Sequence, residues 1–265
     1  MNQEELNVYL RSQAEAFPGQ CSFLVADSLE SEPLHLYQPD VSLPAASTIK
    51  TPILLTALEQ VRQGMLGLSD RLEIPSDAVL PGTQVFDREE HTYSVEELLY
   101  WMIAQDDNTA ANILLDALGF DAVNEYCTIA LGLKNTLCQR KLLDGDSPEA
   151  GPDNVTSAAD QRRLFCLLQG GCILNPGLRR LAMSILSRQR HQDCILRYIS
   201  DEVLFAHKTG LGDRAVHDCG LFFFLHARLF VGIFTWDGAC PDGIDGQKRF
   251  IGRQAKAIYD TYREE

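Results

Sequence analysis

The chain has few of the features that direct a protein to a membrane, to nucleic acid or to an oxidising compartment. No run of about eighteen apolar residues is present, so the sequence predicts no membrane-spanning helix and no membrane partner. Basic residues are the minority, 23 against 37 acidic, and the formal net charge of −14 disfavours binding to nucleic acid. The segment from Met1 to Leu6 carries neither a basic stretch nor an apolar core. We therefore expect a cytoplasmic protein, or a secreted one from which a leader had been removed.

The eight cysteines show no Cys-x-x-Cys spacing, and several lie in apolar stretches, as Cys166 does between Phe165 and Leu167. This pattern predicts buried free thiols in a reducing compartment. The six histidines and the cysteines also lack the spacing of a metal site. We expect neither a metal nor another cofactor.

Three short motifs carry most of the chemical information that the sequence contains. In chain order they are Ser47-Thr-Ile-Lys50, Asp106-Asp-Asn108 and Lys208-Thr-Gly210. A hydroxyl with an amine one helical turn away, polar groups for a substrate amide, and a cation before a glycine together are typical of serine acyl-transfer chemistry. The order and separation of the three make a chance occurrence much less probable than for any one of them.

Ser47 is the predicted nucleophile and Lys50 the predicted base. A free hydroxyl is a weak nucleophile and needs a base within hydrogen-bond reach. Pro52 is tolerated only in the first turn of a helix, which places the helix start near Ser47 and gives the hydroxyl the favourable end of the helix dipole. Burial against this apolar helix is expected to lower the pKa of Lys50. The alternative is a helix-capping serine and a surface lysine.

With these motifs the chain resembles class A β-lactamase-related serine hydrolases, within the wider superfamily of penicillin-recognising β-lactamases and D,D-peptidases. The similarity covers nearly the whole length. It is carried by the segments 43–52, 93–103, 107–115 and 208–212.

The resemblance implies a role for each matching residue. Asn108 would bind the substrate amide, and Asp107 would brace its loop. Lys208 to Gly210 would end an edge strand that faces the nucleophile, with Gly210 allowing close approach of the substrate. The N–H groups of Ser47 and Leu211 would form the oxyanion hole. Further substrate contacts would come from Thr209, for a carboxylate or amide, and from the positive charges of Arg214 and His217.

Two departures from the family pattern affect the predicted activity. The family has serine where this chain has Asp106, and that serine relays a proton to the leaving nitrogen. A carboxylate at this position pairs with Lys208 or Lys50, or serves as a base itself, and it would repel a substrate carboxylate. The family also carries Glu-x-x-Asn in the loop 139–154, where this chain has leucines. Asp144, Asp146 and Glu149 are the nearby carboxylates, and the sequence assigns none of them to the deacylating water.

The predicted fold is a two-lobed α/β (α+β) structure of the β-lactamase and transpeptidase type. Residues 1–64 and 200–265 would form an antiparallel sheet flanked by N- and C-terminal helices, and residues 65–199 an all-helical insert, with the active site between the lobes. Strands are expected at 21–26, 33–37, 203–209, 219–225 and 228–236. Helices are expected at 47–63, from a capping box of Ser94 and Glu97 to about Gln105, and at 108–118, 156–168 and 247–262.

The predicted function is hydrolysis of an amide, lactam or ester through a covalent acyl-enzyme, on a small-molecule or peptide-like substrate. Peptidase, esterase and amidase activities all remain open, and a poor β-lactamase is expected because the deacylating glutamate is missing. The alternative is a ligand-binding or regulatory module that keeps the penicillin-recognising fold without turnover.

Overall fold

The computed structural model describes residues 1–28, 32–83, 85–86, 91–143, 152–200 and 202–264. Its centre is a five-stranded antiparallel sheet in the order β2-β1-β9-β8-β7. The first and last strands of the chain are therefore neighbours in one sheet, because β1 pairs with β9. The five strands are β1 (Gln20–Asp27), β2 (His35–Tyr37), β7 (Phe205–Leu211), β8 (Ala215–Phe223) and β9 (Arg228–Trp236).

Helices cover both faces of this sheet. On one face lie α1 (Gln3–Glu15) and α8 (Gly243–Tyr262), which bury Leu6, Leu10 and Ile251 against it. Residues of the opposite face, such as Leu221 and Phe230, belong to a second core that includes the remaining helices. Those helices are α2 (Lys50–Gln63), α3 (Val95–Ala104), α4 (Asn108–Leu118), α5 (Phe120–Glu125), α6 (Ala158–Gln169) and α7 (Pro176–Leu186).

Two short strand pairs lie outside the main sheet and were not predicted. β3 (Leu43–Pro44) pairs with β6 (Val155–Thr156), and β4 (Arg71–Glu73) pairs with β5 (Thr92–Ser94). The second pair lies within the predicted helical insert. Strands of two or three residues leave too little alternation in the sequence to be recognised.

Capping residues fix the helices that carry site residues. Ser94 and Glu97 form the predicted capping box at the start of α3. The side chain of Asp107 accepts a hydrogen bond from the Ala110 N–H and so begins α4, which ends before Gly119 as predicted. None of the helices in the described part of the chain is long and apolar enough to cross a membrane.

The strand β9 has the predicted bounds, whereas β8 begins four residues before the predicted start at Cys219. Its first half contains His217 and Asp218, which are fully buried because each has a polar partner. Asp218 pairs with His207 of β7 at 2.8 Å, and His217 bonds to the carbonyl group of Pro44. These tertiary hydrogen bonds let polar residues occupy a buried strand, which the apolar pattern alone does not predict.

Candidate active site

Ser47 lies in a 3₁₀ turn (Ala46–Ile49, the nucleophile turn) that leads directly into α2. The helix predicted from Ser47 is present, but its first residues form this 3₁₀ turn and the α-helix itself begins at Lys50. Ala46 has a left-handed backbone with φ of 44°. As an early residue of a helical turn, Ser47 keeps a backbone N–H that needs no partner within the helix. Its side chain lines a cleft of about 500 Å³.

Lys50 is fully buried, which contradicts the alternative of a surface lysine. Its ammonium group donates hydrogen bonds of 2.7 Å to the Asp106 carbonyl oxygen, to Asp106 Oδ1 and to Asn108 Oδ1. All three ammonium hydrogens therefore have acceptors other than Ser47. Burial lowers the pKa of Lys50 to about 8, with Asp106 opposing this shift and Lys208 adding to it.

Asp106 lies between two lysines rather than beside one. Its Oδ1 atom is 2.7 Å from the Lys50 Nζ and 2.8 Å from the Lys208 Nζ. Burial alone would favour the neutral acid, but the two cations outweigh it and hold the pKa of Asp106 well below its usual range. The residue is therefore an ionised carboxylate and a weak base. This cluster of two cations and one anion carries a net charge of +1.

The loop that carries Asp107 is tied to a neighbouring loop. Asp107 accepts a hydrogen bond from the hydroxyl group of Thr83, and Thr109 accepts one of 3.0 Å from the Leu80 N–H. Asn108 follows directly, and its amide oxygen bonds to Lys50. These contacts fix the start of α4 beside the lysine cluster.

Strand β7 lies at the edge of the sheet, so the N–H groups of alternate residues point away from the sheet. The Gly212 N–H donates to Ala215 and the Phe223 N–H to Leu204, so even-numbered residues of β7 bond to β8. The N–H of Leu211 therefore points to the free edge. A Cβ atom on Gly210 would lie 3.2 Å from the Ala45 carbonyl oxygen and 3.3 Å from the Ala46 methyl group. Only glycine lets the strand approach the nucleophile turn this closely.

The remaining predicted substrate contacts differ in their accessibility. The Thr209 hydroxyl is buried and has no hydrogen-bond partner within the described ranges. The side chain of Arg214 is 76% exposed at the cleft rim and pairs with Asp237 at 3.0 Å. His217 does not supply positive charge, because burial lowers its pKa to about 4 and its Nε2 atom bonds to the Pro44 carbonyl oxygen.

The far wall of the cleft is formed by the segment 140–143 and by Asp153 and Asn154. The Asn112 side chain holds the Leu142 backbone through bonds of 2.8 and 3.1 Å, and Leu142 lines the cleft with Ser47. The Asn154 side chain accepts hydrogen bonds from the backbone N–H groups of Gln139 and Arg140, and its backbone carbonyl group accepts one from Ala45. The sequence reading gave neither asparagine a role. Asp144, Asp146 and Glu149 lie outside the described residues.

A second cleft, of about 370 Å³, borders Asp106 and Asn108 and was also missed. Arg190 and His191 line it, and the arginine-rich sequence around them resembles an ordinary exposed face. Gln189 donates to the Ile103 carbonyl group at 2.8 Å, and the Arg190 N–H donates to that of Ala104 at 3.1 Å. The segment is thereby fixed against the end of α3. Burial lowers the pKa of His191, which favours its neutral form.

A sequence model of the Beta-lactamase enzyme family matches residues 3–262, and the chain belongs to this family. The β-lactamase of Sphaerobacter thermophilus has the same fold, with a TM-score of 0.87 and 23% identity, covering 98% of this chain and 97% of that structure. The structure of PBP-A has a TM-score of 0.85 and 25% identity over 98% and 97% of the two chains. The motif-based resemblance and the predicted fold class are confirmed.

A curated relative covers a shorter part of the chain. The β-lactamase regulatory protein BlaB of Streptomyces cacaoi is 35% identical over 98 residues. The match includes 36% of this chain and 31% of BlaB, so this chain spans less than a third of that relative's length. No group of three histidine, cysteine or acidic side chains within the described residues could hold a metal ion.

Proposed function

We propose that the protein is a serine hydrolase that forms a covalent acyl-enzyme on Ser47. The observation that carries this proposal is that Ser47, Asn108 and Leu211 at the free edge of β7 line one cleft, and that Asn108 accepts a hydrogen bond from the buried amine of Lys50. The cleft would lie between the sheet-bearing lobe and the helical insert predicted from the sequence. The expected substrate is a small-molecule or peptide-like amide, lactam or ester.

Acylation would proceed from the neutral amine of Lys50. With a pKa of about 8, roughly one molecule in ten is neutral at pH 7, against fewer than about one in a thousand for an exposed lysine. The amine takes the hydroxyl proton as Ser47 Oγ bonds to the carbonyl carbon. The oxyanion accepts hydrogen bonds from the N–H groups of Ser47 and Leu211. The bond to the leaving group then breaks, and the leaving group takes up the proton that Lys50 accepted.

Deacylation would be the slower step. Water must attack the Ser47 ester, and a base must remove its proton. Leu142 forms the nearby cleft wall, and it supplies no such base. The carboxylate of Asp153 is also on this wall, but it pairs with Arg140 at 3.2 Å. We therefore expect the acyl-enzyme on Ser47 to be long-lived.

A second candidate function is ligand capture without turnover. Two observations favour it: all three hydrogens of the Lys50 ammonium are held by Asp106 and Asn108, and one relative is named as a regulatory protein. In this case a ligand would bind or acylate the site once and signal through its occupancy.

Active-site labelling tests the first proposal. A fluorophosphonate or a fluorescent penicillin should add one mass equivalent to the wild type and none to Ser47→Ala. Ser22→Ala, which removes another buried serine, is the matched control and should label normally. An unmodified wild type with both probes contradicts the proposal. With nitrocefin and a p-nitrophenyl ester, multiple turnovers support the hydrolase, and a single stoichiometric burst supports capture.

We also propose that the protein works in a reducing compartment. All eight cysteines are free, and five of them are buried. Burial raises the pKa of thiols such as Cys21 and Cys127 to about 12, so they are not reactive thiolates. Alkylation of denatured protein directly after cell lysis should modify all eight, and fewer would contradict this assignment.

A further inference from the structure

In the cluster of Lys50, Asp106 and Lys208, the Asp106 carboxylate is the member that lines the second cleft, which shares Asn108 with the cleft of Ser47. Both ammonium groups are fully buried, whereas the Asp106 side chain is 13% exposed. Its Oδ1 atom contacts both lysines, and within the described residues no hydrogen bond reaches its Oδ2 atom. Although the cluster carries a net charge of +1, the surface that it presents to a ligand is therefore a carboxylate oxygen.

The groups that the family resemblance assigns to a substrate carboxylate are unavailable or occupied. The Thr209 hydroxyl is buried, Arg214 is paired with Asp237 at the rim, and His217 is neutral. Of the two cationic candidates in the second cleft, His191 favours its neutral form, and Arg190 is exposed and faces the neutral side-chain amide of Gln105. A negatively charged ligand group beside Asp106 would lose hydration and face an ionised carboxylate, and among the described residues that line this cleft the exposed Arg190 is the single charged cation.

On the basis of the proposed function, we infer that Asp106 sets the substrate specificity of this site. It selects acyl donors with an ammonium group or another hydrogen-bond donor next to the scissile bond, and it rejects those with a carboxylate there. The Oδ2 atom accepts the hydrogen bond from the donor. A charge-assisted bond of this kind is among the stronger hydrogen bonds in proteins.

Two matched thioesters of phenylacetylglycine test this inference. One has N,N-dimethylcysteamine as its leaving group and the other 3-mercaptopropionate, so the two differ mainly in terminal charge. The protonated tertiary amine keeps one N–H donor and cannot rearrange to an amide. In each case the Ser47 Oγ–carbon bond forms, the carbon–sulfur bond breaks, and the thiol departs as a thiolate. No proton from residue 106 is needed. The released thiol is measured with a disulfide reagent, and acylation by intact mass.

The wild type should prefer the dimethylcysteamine thioester by about tenfold or more in acylation, the order of magnitude for one charge pair at a partly exposed site. Asp106→Asn keeps the shape and removes the charge, so the preference should collapse towards one. Asp106→Ser should behave similarly. Thermal melts of each variant verify folding, and the ratio of the two thioesters within one variant is independent of the active fraction.

The outcomes separate the two proposals. Equal Ser47-dependent acylation by both thioesters, or a preference for the carboxylate, overturns the role of Asp106 and leaves the acyl-enzyme intact. A preference that persists in Asp106→Asn also overturns it. Absence of Ser47-dependent acylation by these thioesters and by the labelling probes overturns both.

Discussion

Lys50 offers the sharpest quantitative test, because a buried amine with a lowered pKa makes stability depend on pH. In the unfolded chain a lysine has a pKa near 10.4, whereas in the folded protein that of Lys50 is about 8. Between these values the unfolded state binds more protons, so the free energy of unfolding rises with pH. Integration from pH 7 to pH 10 gives a gain of roughly 2–3 kcal/mol from this one residue.

Lys50→Met removes the amine and keeps much of its length, while Asp106 retains Lys208 as a partner. Urea unfolding of both proteins at several pH values gives the difference between wild type and variant. Titration of the other groups largely cancels in this difference. The wild type should gain the stated 2–3 kcal/mol relative to the variant as the pH rises from 7 to 10. Lys256→Met, at a lysine with a 39% exposed side chain, is the control. A difference that stays constant with pH would refute the assignment of this pKa.

Three further predictions concern the acylation cycle. The acylation rate should rise with pH and level off above about pH 8, as Lys50 loses its proton. Asp106→Asn removes the carboxylate that raises the pKa of Lys50, so the inflection should move to lower pH. An inflection at higher pH would contradict this prediction. Leu142→Glu should shorten the acyl-enzyme lifetime in intact-mass time courses by supplying a base, and Leu142→Gln should not. Gly210→Ala should slow acylation by about tenfold, because its Cβ would lie 3.1 Å from the nucleophile turn. The matched Gly212→Ala, whose nearest neighbours lie at 3.9 Å, should acylate normally.

Local sequence signals account for much of the fold. The capping box at Ser94, the stop at Gly119 and the β-branched run of β9 depend on neighbours in sequence, and each was predicted correctly. The early start of β8 depends on His217 and Asp218 finding distant partners. Such pairing leaves no periodic trace in the sequence, so a pattern reading cannot find it.

The candidate site, like the fold, could be predicted only in part from the sequence. Motif spacing predicted one site with Ser47, Lys50, Asp106 and Lys208. In the structure Asp106 contacts both lysines, and Asn108, which accepts a hydrogen bond from Lys50, lines the cleft of Ser47. The sharing of one carboxylate oxygen by both lysines is a matter of distances that no spacing encodes. His191 was missed for a related reason, since its position depends on how the segment after α7 packs against α3.

Strained backbone is concentrated around the two clefts. Of the six non-glycine residues with positive φ in the described ranges, four line one cleft or the other: Ala46, Asp106, Leu143 and Asp237. Each such conformation costs on the order of 1 kcal/mol and persists only where the surrounding packing imposes it. The scaffold thus tolerates a less stable native state to keep its ligand-facing groups in fixed positions. The substitution Ala46→Gly should therefore raise the melting temperature and slow the acylation of Ser47.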